Sequence, residues 1–178
     1  MHKDIKEIMF SEEKLSEIVD RVAGEINRDY GDTDIIAAVI LKGSLVFSAD
    51  LIRKLQMNVR LDFMQASSYG AGTESSGVIK IKKDLENDIE GKHVLIIEDI
   101  VDSGRTLSLL KKELKSRGAA SVKIAALLSK PSRRVANVEV EYLGSEIPDE
   151  FVVGYGLDLA ERYRNLPYIG ILKPEVYL

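Results

Sequence analysis

The sequence contains no cysteine and only four prolines among its 178 residues. The absence of cysteine excludes a disulfide scaffold, thiol catalysis and a zinc site built on cysteine, and it is typical of proteins in a reducing compartment. No apolar stretch approaches the roughly 20 residues needed to cross a bilayer, and the charged start MHKDIKEIMF is unlike a signal peptide. We therefore expect a cytoplasmic protein with no membrane partner.

The chain also has no excess of basic residues, since its formal net charge is −4. Binding of nucleic acid would need a local basic patch rather than the whole surface, and we expect no nucleic-acid partner. A hydrophobic content of 45% is enough for one sizeable core, so we predict a single domain over residues 1–178.

Two common phosphate-binding patterns are missing as well, the G-x-x-x-x-G-K-[ST] loop and the G-x-G-x-x-G loop. A different strand, turn and helix is predicted for residues 93–106, HVLIIEDIVDSGRT. The unbroken apolar run from Val94 to Ile97 is typical of a strand covered on both faces. After the turn, Leu107, Leu110 and Leu114 recur at helical spacing.

This turn has the chemistry of a phosphate cradle. A helix N-terminus offers unpaired N–H groups and a partial positive charge, and Ser103, Gly104 and Thr106 add hydroxyls and an unobstructed residue. The preceding carboxylates of Glu98 and Asp99 would repel a phosphate, so they are left to face sugar hydroxyls, a divalent cation or a basic ring nitrogen. A simple helix cap is the alternative interpretation.

The rest of the chain alternates strands and helices. Ser11 is predicted to cap a helix with an apolar stripe from Leu15 to Ile26. The further predicted elements are strands over 35–41, 59–66, 79–85, 94–97 and 122–128, and helices over 44–56 and 106–117. Right-handed crossovers place the carboxyl ends of parallel strands on one edge, so segments 41–44, 98–106 and 129–131 are expected to converge there.

These residues resemble a known family. The segment EDIVDSGRT is similar to the phosphoribosyl diphosphate signature of type I phosphoribosyltransferases. The segments LKGS (41–44), SSYG (67–70), LLSKP (127–131) and FVVGYGLD (151–158) follow in the order seen in the hypoxanthine and guanine members. The resemblance implies an α/β fold with an open parallel sheet flanked by helices, a core over about 30–150, a small hood from about 1–10 and 150–178, and a mobile loop at 67–77.

The resemblance also implies roles for the residues that would hold phosphoribosyl diphosphate. Lys42 and Gly43 would form the diphosphate loop, in which the peptide between them can be cis, and Arg164 would grip the diphosphate. Glu98 and Asp99 would accept hydrogen bonds from the ribose hydroxyls. The 5-phosphate would lie on the turn residues Asp102, Ser103, Gly104, Arg105 and Thr106.

A 6-oxopurine is the second substrate that the resemblance implies. Lys130 would donate to its exocyclic oxygen, Phe151 would stack on the ring, and Val152 would supply backbone hydrogen bonds, with Asp158 nearby. Asp102 would act as the general acid or base on a purine nitrogen. Mg²⁺ would be the cofactor, with Asp158, Glu98 and Asp99 as its candidate ligands. Ser68 and Tyr69 would belong to a lid that excludes water.

Three functions remain open at this stage. The first is a purine salvage enzyme that makes inosine or guanosine monophosphate. The second is a transferase for xanthine or another nucleobase. The third is an RNA-binding regulator on the same fold, for which Lys111, Lys112, Lys115 and Arg117 offer a basic helix face. The family resemblance also implies a homodimer or homotetramer.

Overall fold

A computed structural model describes residues 1–68 and 79–177. The elements along the chain are β1 (Ile5–Phe10), α1 (Glu12–Tyr30), β2 (Ile35–Ile40), α2 (Leu45–Ile52), β3 (Val59–Ser68), β4 (Ile79–Lys83), β5 (His93–Val101), α3 (Arg105–Ser116), β6 (Ser121–Ser129), β7 (Tyr142–Glu146), β8 (Val152–Val153) and β9 (Ile169–Leu172), with single 3-10 turns at Pro131–Arg133 and Pro174–Val176.

Six strands form the main sheet in the order β4-β3-β2-β5-β6-β7. The pairs from β3 through β7 are parallel, so these strands end at one edge of the sheet. All six residues of β2 are buried, as expected for a strand covered on both faces. The predicted open sheet flanked by helices is therefore observed.

The helices lie on both faces of this sheet. α1 and α2 bury their apolar residues in one core cluster, whereas Leu107, Leu110 and Leu114 of α3 belong to a second cluster on the other face. The predicted apolar stripe of α1 is buried, and the Ser11 hydroxyl accepts a hydrogen bond from Lys14 N at 3.2 Å, which confirms the predicted cap.

A smaller antiparallel sheet joins the two ends of the chain. Its strand order is β1-β9-β8, in which Ile5 pairs with Leu172 and Val152 pairs with Ile171. This sheet shares the core cluster that α1 and α2 build, because Val152, Ile169 and Ile171 are buried in it. The small sheet thus shares its buried residues with the face of the main sheet that α1 and α2 cover.

The predicted elements did not include β1, β7 or β9, which lie in the small sheet and at the edge of the main sheet. Other elements differ from the prediction in their bounds or pairing. β5 continues to Val101 because Ile100 and Val101 pair with β6, so Glu98 and Asp99 lie within a strand rather than after it. β4 is antiparallel to β3 at the sheet edge. α2 ends at Ile52 instead of Gln56. Beyond Ile52, the Asn27 side chain donates to the Lys54 carbonyl and accepts a hydrogen bond from Gln56 N, so these backbone groups are satisfied outside a helix.

The predicted mobile loop at 67–77 falls mostly outside the described residues, and Tyr69 is one of the residues that the structure does not describe. The backbone of Ser68 pairs with Ile79 at the end of β3. Within the described residues, no helix has the length and apolar character that a bilayer crossing requires.

Candidate active site

A cavity of about 310 Å³ opens at the edge where the parallel strands end. Its walls come from four separate parts of the chain: residues 40–43 after β2, residues 98–104 of β5 and its turn, Thr106 and Leu107 of α3, and the pair Asp158 and Arg164. Ala66 of β3 completes the lining. The predicted convergence of loops at this edge is therefore observed.

The turn before α3 has the geometry of an anion site. Gly104 has φ +77°, and a Cβ there would meet the Ala136 carbonyl at 2.8 Å, so the position suits only glycine. The Ser103 carbonyl accepts hydrogen bonds from Val135 N and Ala136 N, both at 3.0 Å, which fixes the turn from outside. Ser103, Gly104 and Thr106 line the cavity at the N-terminus of α3, where an anion is favoured.

Two adjacent carboxylates form the acidic wall of the cavity. Glu98 accepts a hydrogen bond from Asp99 N at 3.1 Å, and Asp99 accepts one from Ile100 N at 2.8 Å. Burial, reinforced by the neighbouring charge of Asp99, raises the pKa of Glu98 well above its ordinary value. The cavity wall therefore contains a carboxyl group whose ionisation is disfavoured.

The loop after β2 contains a cis peptide bond between Leu41 and Lys42. The resemblance left open a cis bond one residue later, between Lys42 and Gly43, but that peptide is trans. Gly43 packs directly on Asp99, and a Cβ at Gly43 would overlap the Asp99 carboxylate. The Lys42 ammonium lies 2.9 Å from Glu161 Oε2.

Arg164 reaches the same cavity from the far end of the chain. Its guanidinium donates to the Gly156 carbonyl at 2.8 Å and lies 2.9 Å from Asp158 Oδ1 and 3.3 Å from Glu161 Oε1. The hydrogen bond from Lys42, and then that from Arg164, lowers the pKa of Glu161. Glu161 thus links the two cations predicted to hold diphosphate, a contact that the sequence pattern did not indicate.

A second cavity of about 240 Å³ adjoins the first. It is lined by Asp99, Ile100, Asp102, Lys130, Phe151, Val152, Leu157 and Asp158. Lys130 has only 12% of its side chain exposed, which is unusual for a lysine and indicates a defined position. The Phe151 ring stacks on Tyr177 with centroids 4.8 Å apart, so its orientation is fixed.

The predicted site residues divide clearly between these two cavities. The first cavity brings together Lys42, Gly43, Glu98, Asp99, Asp102, Ser103, Gly104, Thr106, Asp158 and Arg164. The second brings together Asp99, Asp102, Lys130, Phe151, Val152 and Asp158, of which the three aspartates line both cavities. Arg105 opens α3 without lining either cavity, and the side chains of Ser68 and Tyr69 lie outside the described part of the chain.

Sequence reasoning missed Arg133 and Asp149. Arg133 Nε lies 2.6 Å from Asp102 Oδ1, and Arg133 Nη1 lies 3.4 Å from Asp149 Oδ1. Lys130 Nζ lies 3.5 Å from the same Asp149 oxygen. The basic run KPSRR after β6 was a visible signal, but its partners are distant in sequence.

The residues present fit a magnesium ion that shares its ligands with a substrate. Among residues 1–68 and 79–177, no group of three acidic, histidine or cysteine side chains is close enough to hold a metal alone. Mg²⁺ usually takes one or two carboxylates and completes its shell with water and substrate phosphates. Asp99 and Asp158 both line both cavities and provide such carboxylates.

Comparisons with known proteins agree with this geometry. A family model described as phosphoribosyl transferase domain matches residues 8–160. The hypoxanthine-guanine phosphoribosyltransferases of Staphylococcus epidermidis and Bacillus subtilis are each 52% identical over 177 residues, covering 99% of this chain and 99% and 98% of those proteins. The crystal structure of a hypoxanthine phosphoribosyltransferase from Staphylococcus aureus has a TM-score of 0.95 and 50% identity, and the match covers 100% of this chain and 97% of that one. This chain therefore belongs to the phosphoribosyltransferase family.

Proposed function

We propose that this protein transfers the 5-phosphoribosyl group of phosphoribosyl diphosphate to N9 of hypoxanthine and of guanine. The products are inosine or guanosine monophosphate and diphosphate, which is a purine salvage reaction. The observation that carries this proposal is the pair of adjoining cavities that share Asp99, Asp102 and Asp158. One cavity has the groups for a phosphorylated sugar, and the other is a slot with one lysine and one aromatic ring.

The larger cavity fits the donor. The turn from Ser103 to Thr106 offers backbone N–H groups and hydroxyls to the 5-phosphate, and the dipole of α3 favours its charge. Glu98 and Asp99 would accept hydrogen bonds from the ribose hydroxyls. A carboxylate needs such a donor, and an ionised phosphate group has none. Lys42, Gly43 and Arg164 line the same cavity and would supply donors for the diphosphate, where the planar guanidinium suits paired oxygens.

Mg²⁺ is the proposed cofactor, held by Asp99 and Asp158 together with substrate oxygens, with Glu98 as a further candidate. When bound, it neutralises charge that develops on the diphosphate leaving group. The protein's own cations would act on the same charge, since Lys42 and Arg164 are held close together by their shared contact with the Glu161 carboxylate.

The smaller cavity fits a 6-oxopurine. The Lys130 ammonium provides a donor for the exocyclic oxygen, and its low exposure limits the ways in which a base can bind. The Phe151 ring, fixed by Tyr177, offers a flat apolar face for stacking. Adenine carries an amino group at the same position. Because that amino group and the Lys130 ammonium are both hydrogen-bond donors, they cannot pair, so oxopurines are favoured.

The reaction breaks the bond between ribose C1 and the diphosphate oxygen and forms the bond between C1 and purine N9. Asp102 lines both cavities and so lies where the base meets the sugar. We assign to it the general acid or base role, in which its carboxylate accepts or holds a purine nitrogen proton. The electron pair of the broken bond leaves with the diphosphate.

The test is direct turnover. The protein is incubated with Mg²⁺, phosphoribosyl diphosphate and either hypoxanthine, guanine, xanthine or adenine, and diphosphate release is measured. We expect turnover with hypoxanthine and guanine. Turnover with xanthine alone would support the alternative transferase, and no turnover with any base would contradict the proposal.

A matched pair of variants locates the base site. Lys130→Gln removes the proposed donor to the purine oxygen and is expected to raise KM for hypoxanthine about tenfold or more. Lys92→Gln, at an exposed position just before β5, removes the same charge and should leave KM unchanged. Equal KM values for Lys130→Gln and the parent would contradict the assignment of the base pocket.

A further inference from the structure

Four charged side chains of alternating sign form a chain along the base cavity. Their order is Asp102, Arg133, Asp149 and Lys130. The first and last members line the cavity itself, whereas Arg133 and Asp149 do not line it and are about half exposed. The two groups proposed to touch the purine are thus the two ends of one charged chain.

The backbone fixes Arg133 beside Asp102. Arg133 ends the 3-10 turn that starts at Pro131, and its N–H donates to the Lys130 carbonyl at 3.1 Å. Two residues further on, Val135 N and Ala136 N both donate to the Ser103 carbonyl, next to Asp102. The ion pair therefore does not depend on two long side chains meeting by chance, as many surface pairs do.

The two carboxylate oxygens of Asp102 have different surroundings. Oδ1 is buried, and Arg133 Nε lies 2.6 Å from it, although this contact lacks the geometry of a hydrogen bond. The side chain as a whole is 46% exposed, so its accessible part lies on the Oδ2 side. One oxygen is held by a cation, and the other is left for a ligand.

Asp149 has the corresponding place beside Lys130. Its Oδ1 lies 3.5 Å from Lys130 Nζ and 3.4 Å from Arg133 Nη1. The carboxylates of Asp102 and Asp149 raise the pKa of Arg133, so the cation at the centre of the chain stays charged. Each central residue therefore contacts one end of the chain and the other central residue.

We propose that Arg133 and Asp149 are positioning residues of the purine site: Arg133 holds the Asp102 carboxylate, Asp149 holds the Lys130 ammonium, and their contact couples recognition of the purine oxygen to handling of its proton. This inference rests on the proposed function. It assigns no contact with substrate to either residue. Neither residue followed from the sequence pattern that identified the site.

The test separates the two halves of the chain by steady-state kinetics. Arg133→Gln is expected to lower kcat by roughly tenfold while KM for phosphoribosyl diphosphate stays within about twofold. Arg133→Lys keeps the charge and should restore part of the loss. Asp149→Asn is expected to raise KM for hypoxanthine by about fivefold, with a smaller effect on kcat. The double variant should lose less than the product of the two single effects.

The controls are exposed residues of the same charge away from the site. Arg28→Gln and Asp32→Asn should behave as the parent, and thermal unfolding followed by circular dichroism should show all variants folded. If Arg133→Gln and Asp149→Asn match an active parent, this inference fails alone. If the effects multiply, the proposed coupling fails. If the parent turns over no purine, the proposed function fails and this inference fails with it.

Discussion

At the scale of single residues, Asp102 allows the most direct test of the proposed chemistry. It borders both cavities and has one anchored and one accessible oxygen. Asp102→Asn keeps the shape but removes the base, so we expect kcat to fall by about 10² to 10⁴. The dissociation constant for phosphoribosyl diphosphate should change little, because Asp102 contributes only one edge of the donor site. Single-turnover kinetics and donor titration measure the two quantities, and an unchanged kcat would refute the role.

Glu98 gives a second prediction at this scale, on stability. Its folded-state pKa is raised, by burial first and then by Asp99, so the folded protein keeps this proton to higher pH than the unfolded chain does. Ionisation of Glu98 therefore lowers the free energy of unfolding as the pH rises above about 4.3, the pKa expected for a glutamate in the unfolded chain. Glu98→Gln removes the ionisation and should make the protein more stable than the parent near pH 7.

The measurement is urea unfolding of the parent and Glu98→Gln at several pH values. The two free energies of unfolding should approach each other at acid pH and separate as the pH rises. The same variant should bind the donor more weakly, since an amide accepts ribose hydrogen bonds less well than a carboxylate. A constant difference in stability across the pH range would contradict the explanation.

At the scale of elements, the junction between β5 and α3 depends on Gly104. Alanine at this position would adopt φ +77° and contact the Ala136 carbonyl and the Arg134 side chain. We expect Gly104→Ala to lower the free energy of unfolding by about 1–3 kcal/mol and to weaken donor binding. Gly24→Ala in the middle of α1 is the control, because open space surrounds it. It should instead add about 0.5–1 kcal/mol.

Chemical denaturation and titration with phosphoribosyl diphosphate compare these two variants. Gly104→Ala with the stability and donor affinity of the parent would show that the turn adapts to a side chain. The phosphate turn would then not depend on the contacts between Gly104 and the segment around Ala136.

Sequence patterns predicted most of the elements because their signals are local. The apolar run before Glu98, the helical spacing after Thr106 and the Ser11 cap each lie within a few residues, and each corresponds to an observed element. The orientation of β4 and the length of β5 depend on pairing with other strands, which no local pattern encodes.

The candidate site shows the same division. Residues on the carboxyl edge of the sheet could be predicted, because topology alone brings strand ends together. The ion pair between Arg133 and Asp102 and the link from Lys42 to Glu161 could not, since they join loops whose relative position depends on the packed hood. From the sequence alone, charged residues of a site in such loops cannot be distinguished from ordinary surface residues.

At the scale of the whole molecule, the small terminal sheet, which corresponds to the predicted hood, shares a buried apolar cluster with the main sheet, although Ile5, Val153 and Leu172 of the small sheet form a separate cluster. Val152, Ile169 and Ile171 of the small sheet are buried in the cluster that contains α1 and β2 residues. We therefore expect the chain to unfold in a single cooperative transition. Urea curves from tyrosine fluorescence and from far-ultraviolet circular dichroism should coincide. Two separate transitions would instead show that the hood is an independent unit.

The close packing of Gly43 has a consequence for how such a protein changes over time. A Cβ at Gly43 would overlap the Asp99 carboxylate, and a Cβ at Gly156 would overlap the Gly43 carbonyl. Three segments far apart in sequence thus abut with no room between them. A loop transplanted from a divergent homologue would be tolerated only with matching replacements in the other two. We therefore expect the effects of substitutions in these three segments to depend on one another.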